Sequence, residues 1–174
     1  CSSMDKELED LSVRVGAALL ERKSMLACAE SCTGGWVAEV VTATGGSSQW
    51  FERGYVSYSN AAKQELLGVK ADTLRQEGAV SEAVVREMAA GALRRSQAQV
   101  SLAISGVAGP AGGSPGKPVG TVCFAWVLQG GAPTAETKQF PGDREAVRKQ
   151  SVIHALQGLL RKLAEASTNI DASG

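Results

Sequence analysis

At 174 residues the chain can form one domain with its own hydrophobic core, and 44% apolar against 21% charged residues is an ordinary globular balance. Its 18 basic and 18 acidic residues cancel to a formal net charge of zero. That disfavours a dedicated nucleic-acid or membrane-surface binder, because both need a basic field.

No apolar run is long enough to span a bilayer, and no basic segment with an apolar core follows the N-terminus as a secretory leader would. Residues 1–3 precede Met4 and read as an appended remnant, so the domain is expected to cover residues 4–166. Three cysteines then remain, Cys28, Cys32 and Cys123. An odd number without framework spacing points to reduced thiols and a cytoplasmic setting. His154 is the single histidine and no C-x-x-C pair occurs, so a zinc site would need thiolates and carboxylates almost alone; no cofactor is expected. A histidine triad would have to use His154, whose apolar helical surroundings favour a structural role.

In chain order, Leu8, Leu11, Val15 and Leu19 recur at helical spacing and predict a helix over residues 5–22. "SMLACA" (24–29) reads as a buried strand, and "GGWVAEVVTAT" (34–44) as a helix ended by Gly45 and Gly46. "RGYVSYS" (53–59) alternates like a strand. Ser59 is placed to cap a short helix that stops at Gly68. Ser81 is placed to cap a longer helix within residues 80–98, with Val84, Val85, Met88 and Leu93 on one face. Residues 99–106 form a strand of the buried kind, 107–120 a glycine- and proline-rich loop, and 121–128 and 135–142 two further strands. A last helix starts near Asp143, which is placed to cap it, and the chain is expected to fray as a flexible tail over residues 167–174. Strands alternating with helices early, and adjoining late, predict an α/β fold. It is a three-layer α/β/α sandwich with a mixed, mostly parallel sheet.

Four stretches carry chemistry. "AESCTGGWVAEV" (29–40) lies at a strand-to-helix junction, where α/β folds bind ligands and where free N–H groups can hold an oxyanion. Capping by Ser31 or Thr33 explains the same polar residues. "YSNAAK" places Lys63 one turn into the next helix. A lysine withdrawn from water can act as a base, so Ser31 with Lys63 could do what Ser–His does elsewhere, with Tyr58 shuttling a proton or orienting either partner. An exposed surface lysine is the plain alternative. "SGVAGPAGGSPGKP" could cradle a phosphate in backbone N–H groups but matches no phosphate-loop pattern. "PGDREAVRKQ" puts Arg144 and Arg148 four apart on one helix face, a pairing that suits an anion.

Taken in order, "AESCTGGWVA", "GSSQWFERGYVSYSNAAKQELLGV", "GAVSEAVVREMAAGAL", "SGVAGPAGGSPGKPVGTV" and "PGDREAVR" resemble the CinA C-terminal domain family, the competence/damage-inducible family, from about residue 8 to 165. The resemblance is greatest to its stand-alone amidase members. It implies hydrolysis of the carboxamide of nicotinamide mononucleotide to nicotinate mononucleotide and ammonia, in pyridine nucleotide recycling, without a metal. It implies a Ser–Lys arrangement with a supporting tyrosine, matching Ser31, Lys63 and Tyr58. Longer members carry an additional nucleotide-hydrolase domain, for which this chain is too short, so amidase activity alone is expected. Candidate substrate contacts are Glu30, Thr33, Gly34, Gly35, Ser105, Gly106, Gly109 and Arg144, with the pyridinium near Glu30 or Trp36. The expected partner is this small molecule, with no nucleic acid and no membrane. A homo-oligomer is expected because α/β enzymes of this size commonly assemble.

Two rivals stay open. Cys32 is a thiol beside the same helix start and could attack in place of Ser31; Ser48 could also attack, although a cap before Gln49 suits it better. Alternatively the chain is a non-enzymatic nucleotide- or partner-binding module of the same family.

Overall fold

The computed structural model describes residues 5–173, with side chains described through residue 168. The expected remnant at residues 1–3 lies outside the described residues. The elements are α1 (Lys6–Glu21), β1 (Leu26–Glu30), α2 (Trp36–Thr42), a 3-10 turn (Ser47–Gln49), β2 (Phe51–Val56), α3 (Asn60–Leu67), α4 (Ala71–Glu77), α5 (Glu82–Arg94), β3 (Val100–Gly106), β4 (Thr121–Leu128), β5 (Thr134–Gln139) and α6 (Arg144–Ser173). The backbone of α6 thus continues past residue 167, where the sequence pattern ends it.

The five strands form one sheet in the order β2-β1-β3-β4-β5. β1 runs parallel to both β2 and β3, while β4 is antiparallel to β3 and β5. One strand, β4, therefore runs against the other four. The long crossovers that parallel neighbours require are supplied by α2 and by α3 to α5.

The pleat sorts side chains between the two helical layers. Leu26, Cys28, Leu102, Ile104, Val122, Phe124 and Trp126 pack with α1, α2 and α6. Their neighbours Ala29, Ala103, Cys123, Ala125 and Val127 pack with α3, α4 and α5. This is the period-two alternation of a sheet covered on both faces. Large residues face α6 and small ones face α5, so α5 seats close. Its Gly91 abuts α3 so tightly that a Cβ there would lie 1.9 Å from the Leu67 carbonyl oxygen.

Three of the predicted caps form as the side chains dictate. Ser59 accepts from the Ala62 N–H (3.0 Å), Ser81 from Val84 (3.2 Å) and Asp143 from Ala146 (2.9 Å). Gly68 ends α3 at φ 70°, the left-handed turn expected of a C-terminal glycine. The sequence pattern does not reveal α4, a seven-residue helix with a single buried side chain, Leu74, and no side-chain cap.

Starting from β1, the chain moves to β2 on one side and to β3 on the other. The crevice at the carboxyl ends of these strands is where such sheets bind ligands. Ser31 follows β1 directly and Ser57 follows β2, and they are tied in by Ser31 N–H to the Ile104 carbonyl (3.0 Å) and Ser57 N–H to the Glu30 carbonyl (2.8 Å).

Candidate active site

At this end of the sheet Lys63 and Ser31 meet. The Lys63 Nζ lies 3.0 Å from Ser31 Oγ, 3.0 Å from the Ser57 carbonyl and 3.1 Å from the Tyr58 carbonyl. Lys63 is only 1% exposed. It comes from the first turn of α3, which Ser59 caps and which packs against α5, so its side chain points inward beneath the residues that end β2. Burial lowers the Lys63 pKa from its usual value, because desolvation penalises the ammonium. The cage suits both protonation states. As an ammonium, Lys63 has three protons for three oxygens; as an amine, it gives two protons to the carbonyls and turns its lone pair to Ser31.

The turn that carries Ser31 is fixed from two sides. The Gly34 N–H closes it on the Ser31 carbonyl (3.1 Å), and the Trp36 N–H on the Thr33 carbonyl (3.0 Å). Gly34 and Gly35 take φ of 59° and 101°, which glycine alone adopts without strain. On one side Glu30, 1% exposed, accepts from Thr33 Oγ1 (2.6 Å), the Val37 N–H (2.9 Å) and the Ala38 N–H (3.1 Å). On the other side Arg148 of α6 donates from Nε to the Cys32 carbonyl (3.0 Å) and from Nη2 to the Thr33 carbonyl (3.2 Å), its guanidinium 5.4 Å from the Trp36 ring centre.

The sequence profile of the CinA C-terminal domain matches residues 8–163. The chain belongs to that family. Similar proteins include the nicotinamide-nucleotide amidohydrolase PncC of Enterobacter agglomerans, 54% identical over 91% of this chain and 96% of that protein. The protein of the same name from Escherichia coli K12 is 53% identical, over 92% of this chain and 98% of its own. Among solved structures, the competence/damage inducible protein CihA of Agrobacterium tumefaciens superposes with a TM-score of 0.89 at 38% identity, covering 92% of this chain and 98% of that one.

Within this CinA-type domain the predicted residues divide into three groups. Ser31, Lys63, Thr33, Gly34 and Gly35 come together at the turn that follows β1. Tyr58 reaches the pair through its carbonyl, which also lies 3.5 Å from Ser31 Oγ, whereas its phenol is 62% exposed and takes a hydrogen bond from Arg144 Nη2 (3.4 Å). Arg144 Nη1 in turn holds the Gly109 carbonyl (2.7 Å), so Tyr58, Arg144 and the loop after β3 form one rim. Beside it Trp36, Arg144, Glu145 and Arg148 line an open depression of about 490 Å³.

The third group is built into the frame. Glu30, expected near the pyridinium, is a buried helix cap with both oxygens occupied; neither Ser31 nor Thr33 caps α2, whose N-cap is Gly35. Ser105 is buried and donates to the Ala79 carbonyl (2.8 Å). At Gly106 a Cβ would sit 2.7 Å from Val122, so this glycine serves close packing against β4. Arg148, which the sequence pairs with Arg144 as a site suited to an anion, instead spends its guanidinium on two carbonyls that lie 115 and 116 residues away.

The rival nucleophiles are poorly placed. The Cys32 thiol belongs to the core beneath the turn, and burial pushes its pKa up to about 11. Ser48 is exposed in the 3-10 turn after α2. His154 lies across α6 among Phe124, Trp126 and Phe140, bonded to Glu136 (2.6 Å). Cys28, Cys32 and Cys123 are buried free thiols. Among the described residues no three His, Cys, Asp or Glu side chains gather as a metal site would need, and no helix is long and apolar enough to cross a membrane.

Proposed function

We propose that the chain is a nicotinamide-nucleotide amidase, hydrolysing the carboxamide of nicotinamide mononucleotide to the carboxylate with release of ammonia, as a step in pyridine nucleotide recycling. The observation that carries this reading is the buried contact between Lys63 Nζ and Ser31 Oγ (3.0 Å). A buried lysine without a carboxylate partner is a poor structural choice, and perturbed groups of this kind gather at functional sites. The names of the two amidohydrolases supply the substrate class.

Neutral Lys63 takes the hydroxyl proton of Ser31 as Oγ attacks the amide carbon. The oxyanion is held by N–H groups of the turn. Gly34 already spends its N–H on Ser31, which leaves those of Cys32, Thr33 and Gly35. Lys63, now an ammonium, returns its proton to the departing nitrogen, which leaves as ammonia. The Ser31 ester remains. Water then gives a proton to Lys63 and attacks the ester, and the proton returns to Ser31 Oγ as the nicotinate product leaves. Arg144, at the rim shared by Tyr58 and Gly109, is placed to take the substrate phosphate.

The test is ammonia release from nicotinamide mononucleotide by the wild-type protein and by Ser31→Ala. Release by the first and none by the second is expected. A wild-type protein that binds the nucleotide but frees no ammonia would leave the binding-module reading in its place.

A further inference from the structure

We propose that Arg148 is a positioning residue for catalysis: by holding the Cys32 and Thr33 carbonyls it fixes the turn that carries Ser31. The inference rests on the amidase reading above.

In a trans peptide the C=O and N–H point in opposite directions within one plane. The Cys32 carbonyl and the Thr33 N–H share a peptide unit. Arg148 Nε draws that carbonyl towards α6 (3.0 Å), so the Thr33 N–H faces away from α6. The next unit joins the Thr33 carbonyl, held by Arg148 Nη2 (3.2 Å), to the Gly34 N–H, which is spent on the Ser31 carbonyl (3.1 Å). One guanidinium thereby fixes two successive peptide planes of the turn on which Ser31 stands.

Only a fork does this. The two bonds leave Nε and Nη2, on the same edge of the guanidinium plane, and the Trp36 ring (5.4 Å) restrains that plane. A lysine could reach one carbonyl but could not hold both in register. The bracing is needed here because Gly34 and Gly35 both sit at positive φ, where the backbone is otherwise free to swing. α6 packs on α1 and on the sheet through Val147, Val152 and Leu156, so Arg148 acts from a rigid support.

The experiment measures ammonia release from nicotinamide mononucleotide by wild type, Arg148→Lys and Arg148→Ala, with thermal midpoints in parallel. Arg148→Ala is expected to lower kcat about 100-fold with KM little changed, the size of effect of misplacing a reacting group by about 1 Å. Arg148→Lys, which keeps the charge and most of the stem, is expected to fold normally and still lose about tenfold in kcat. Guanidinium at low millimolar concentration should restore part of the kcat of Arg148→Ala and do nothing for Ser31→Ala. The proposal is overturned if either folded variant keeps wild-type kcat, if the loss falls on KM alone, or if guanidinium fails to rescue a folded Arg148→Ala. A wild type that frees no ammonia overturns the amidase reading together with this one, whereas an active wild type with insensitive variants overturns this one alone.

Discussion

Lys63 Nζ donates its hydrogen bonds to the carbonyls of Ser57 and Tyr58 and meets Ser31 Oγ at 3.0 Å. In the proposed mechanism the two side chains act as one proton-transfer unit, so their removal should not be additive. Ser31→Ala and Lys63→Met are each expected to lower kcat by roughly 10³-fold or more, and the double variant is expected to be no worse than the poorer single one. Steady-state ammonia release from all three variants measures this, with circular dichroism to confirm the fold. An additive double variant would mean that the two residues work independently.

The same pair sets a pH profile. Desolvation lowers the Lys63 pKa from its usual 10.5. In the proposed mechanism the base is the neutral amine, so activity should rise with pH as the ammonium loses its proton. Below the lowered pKa, kcat/KM should climb about tenfold per pH unit, then flatten before pH 10.5. A rate profile from pH 5 to 10 reads the ascending limb. A profile that falls with rising pH through this range would contradict a neutral lysine base.

Cys32 should be dispensable as a nucleophile. Its side chain is buried in the core, and a thiol with its pKa pushed to about 11 is almost wholly protonated at neutral pH. Cys32→Ala keeps the backbone N–H of the turn and is expected to retain activity within about threefold, while iodoacetamide at pH 7.5 should modify Cys32 slowly in the folded protein. Loss of all activity in Cys32→Ala, with Ser31→Ala still active, would hand the attack to the thiol.

Glu30 supports the turn rather than the substrate, and its variants should read as stability changes. Its oxygens receive the Val37 and Ala38 N–H groups at the start of α2 and the Thr33 hydroxyl. Glu30→Ala leaves buried donors unpaired, at a cost on the order of 3 kcal/mol. For a domain of this size that corresponds to a fall in Tm of about 6–12 °C. Thermal denaturation checks it. A Glu30→Ala protein with an unchanged Tm and a raised KM would instead favour direct contact with substrate.

Glu30 and Arg148 also mark where sequence reading stops. Caps that act within three residues, Ser59, Ser81 and Asp143, are legible because donor and acceptor share one turn. The Ser31–Lys63 pairing is legible in part, since each residue stands at a strand-to-helix junction where α/β folds gather chemistry. The capping role of Glu30 is not legible because its carboxylate reaches seven and eight residues along, over a glycine turn that local cap rules do not describe. The hold of Arg148 on the turn is not legible because its partners are brought close only by packing α6 against α2. The short helix α4 escapes because one buried leucine makes no periodicity. The distinction between the Tyr58 carbonyl and its phenol belongs to backbone geometry, which residue identity does not encode.

A final prediction links the back of the fold to the front. Gly91 of α5 lets the helix approach α3 so closely that a Cβ would lie 1.9 Å from the Leu67 carbonyl oxygen. α3 is the helix that delivers Lys63, four residues before Leu67 and on the same face. Gly91→Ala must therefore push α3 away from α5 or strain both helices, since the obstructing atom is backbone and cannot rotate aside. The expected outcome is a fall in stability of about 2 kcal/mol together with a loss in kcat of about tenfold or more, as the Lys63–Ser31 contact is displaced by a fraction of an ångström. Urea unfolding and ammonia-release kinetics on the same preparation measure both. A variant that loses stability but keeps full kcat would show that α3 moves without carrying Lys63 off Ser31, and would place the control of that contact in the Ser57–Tyr58 carbonyls instead of in the helix.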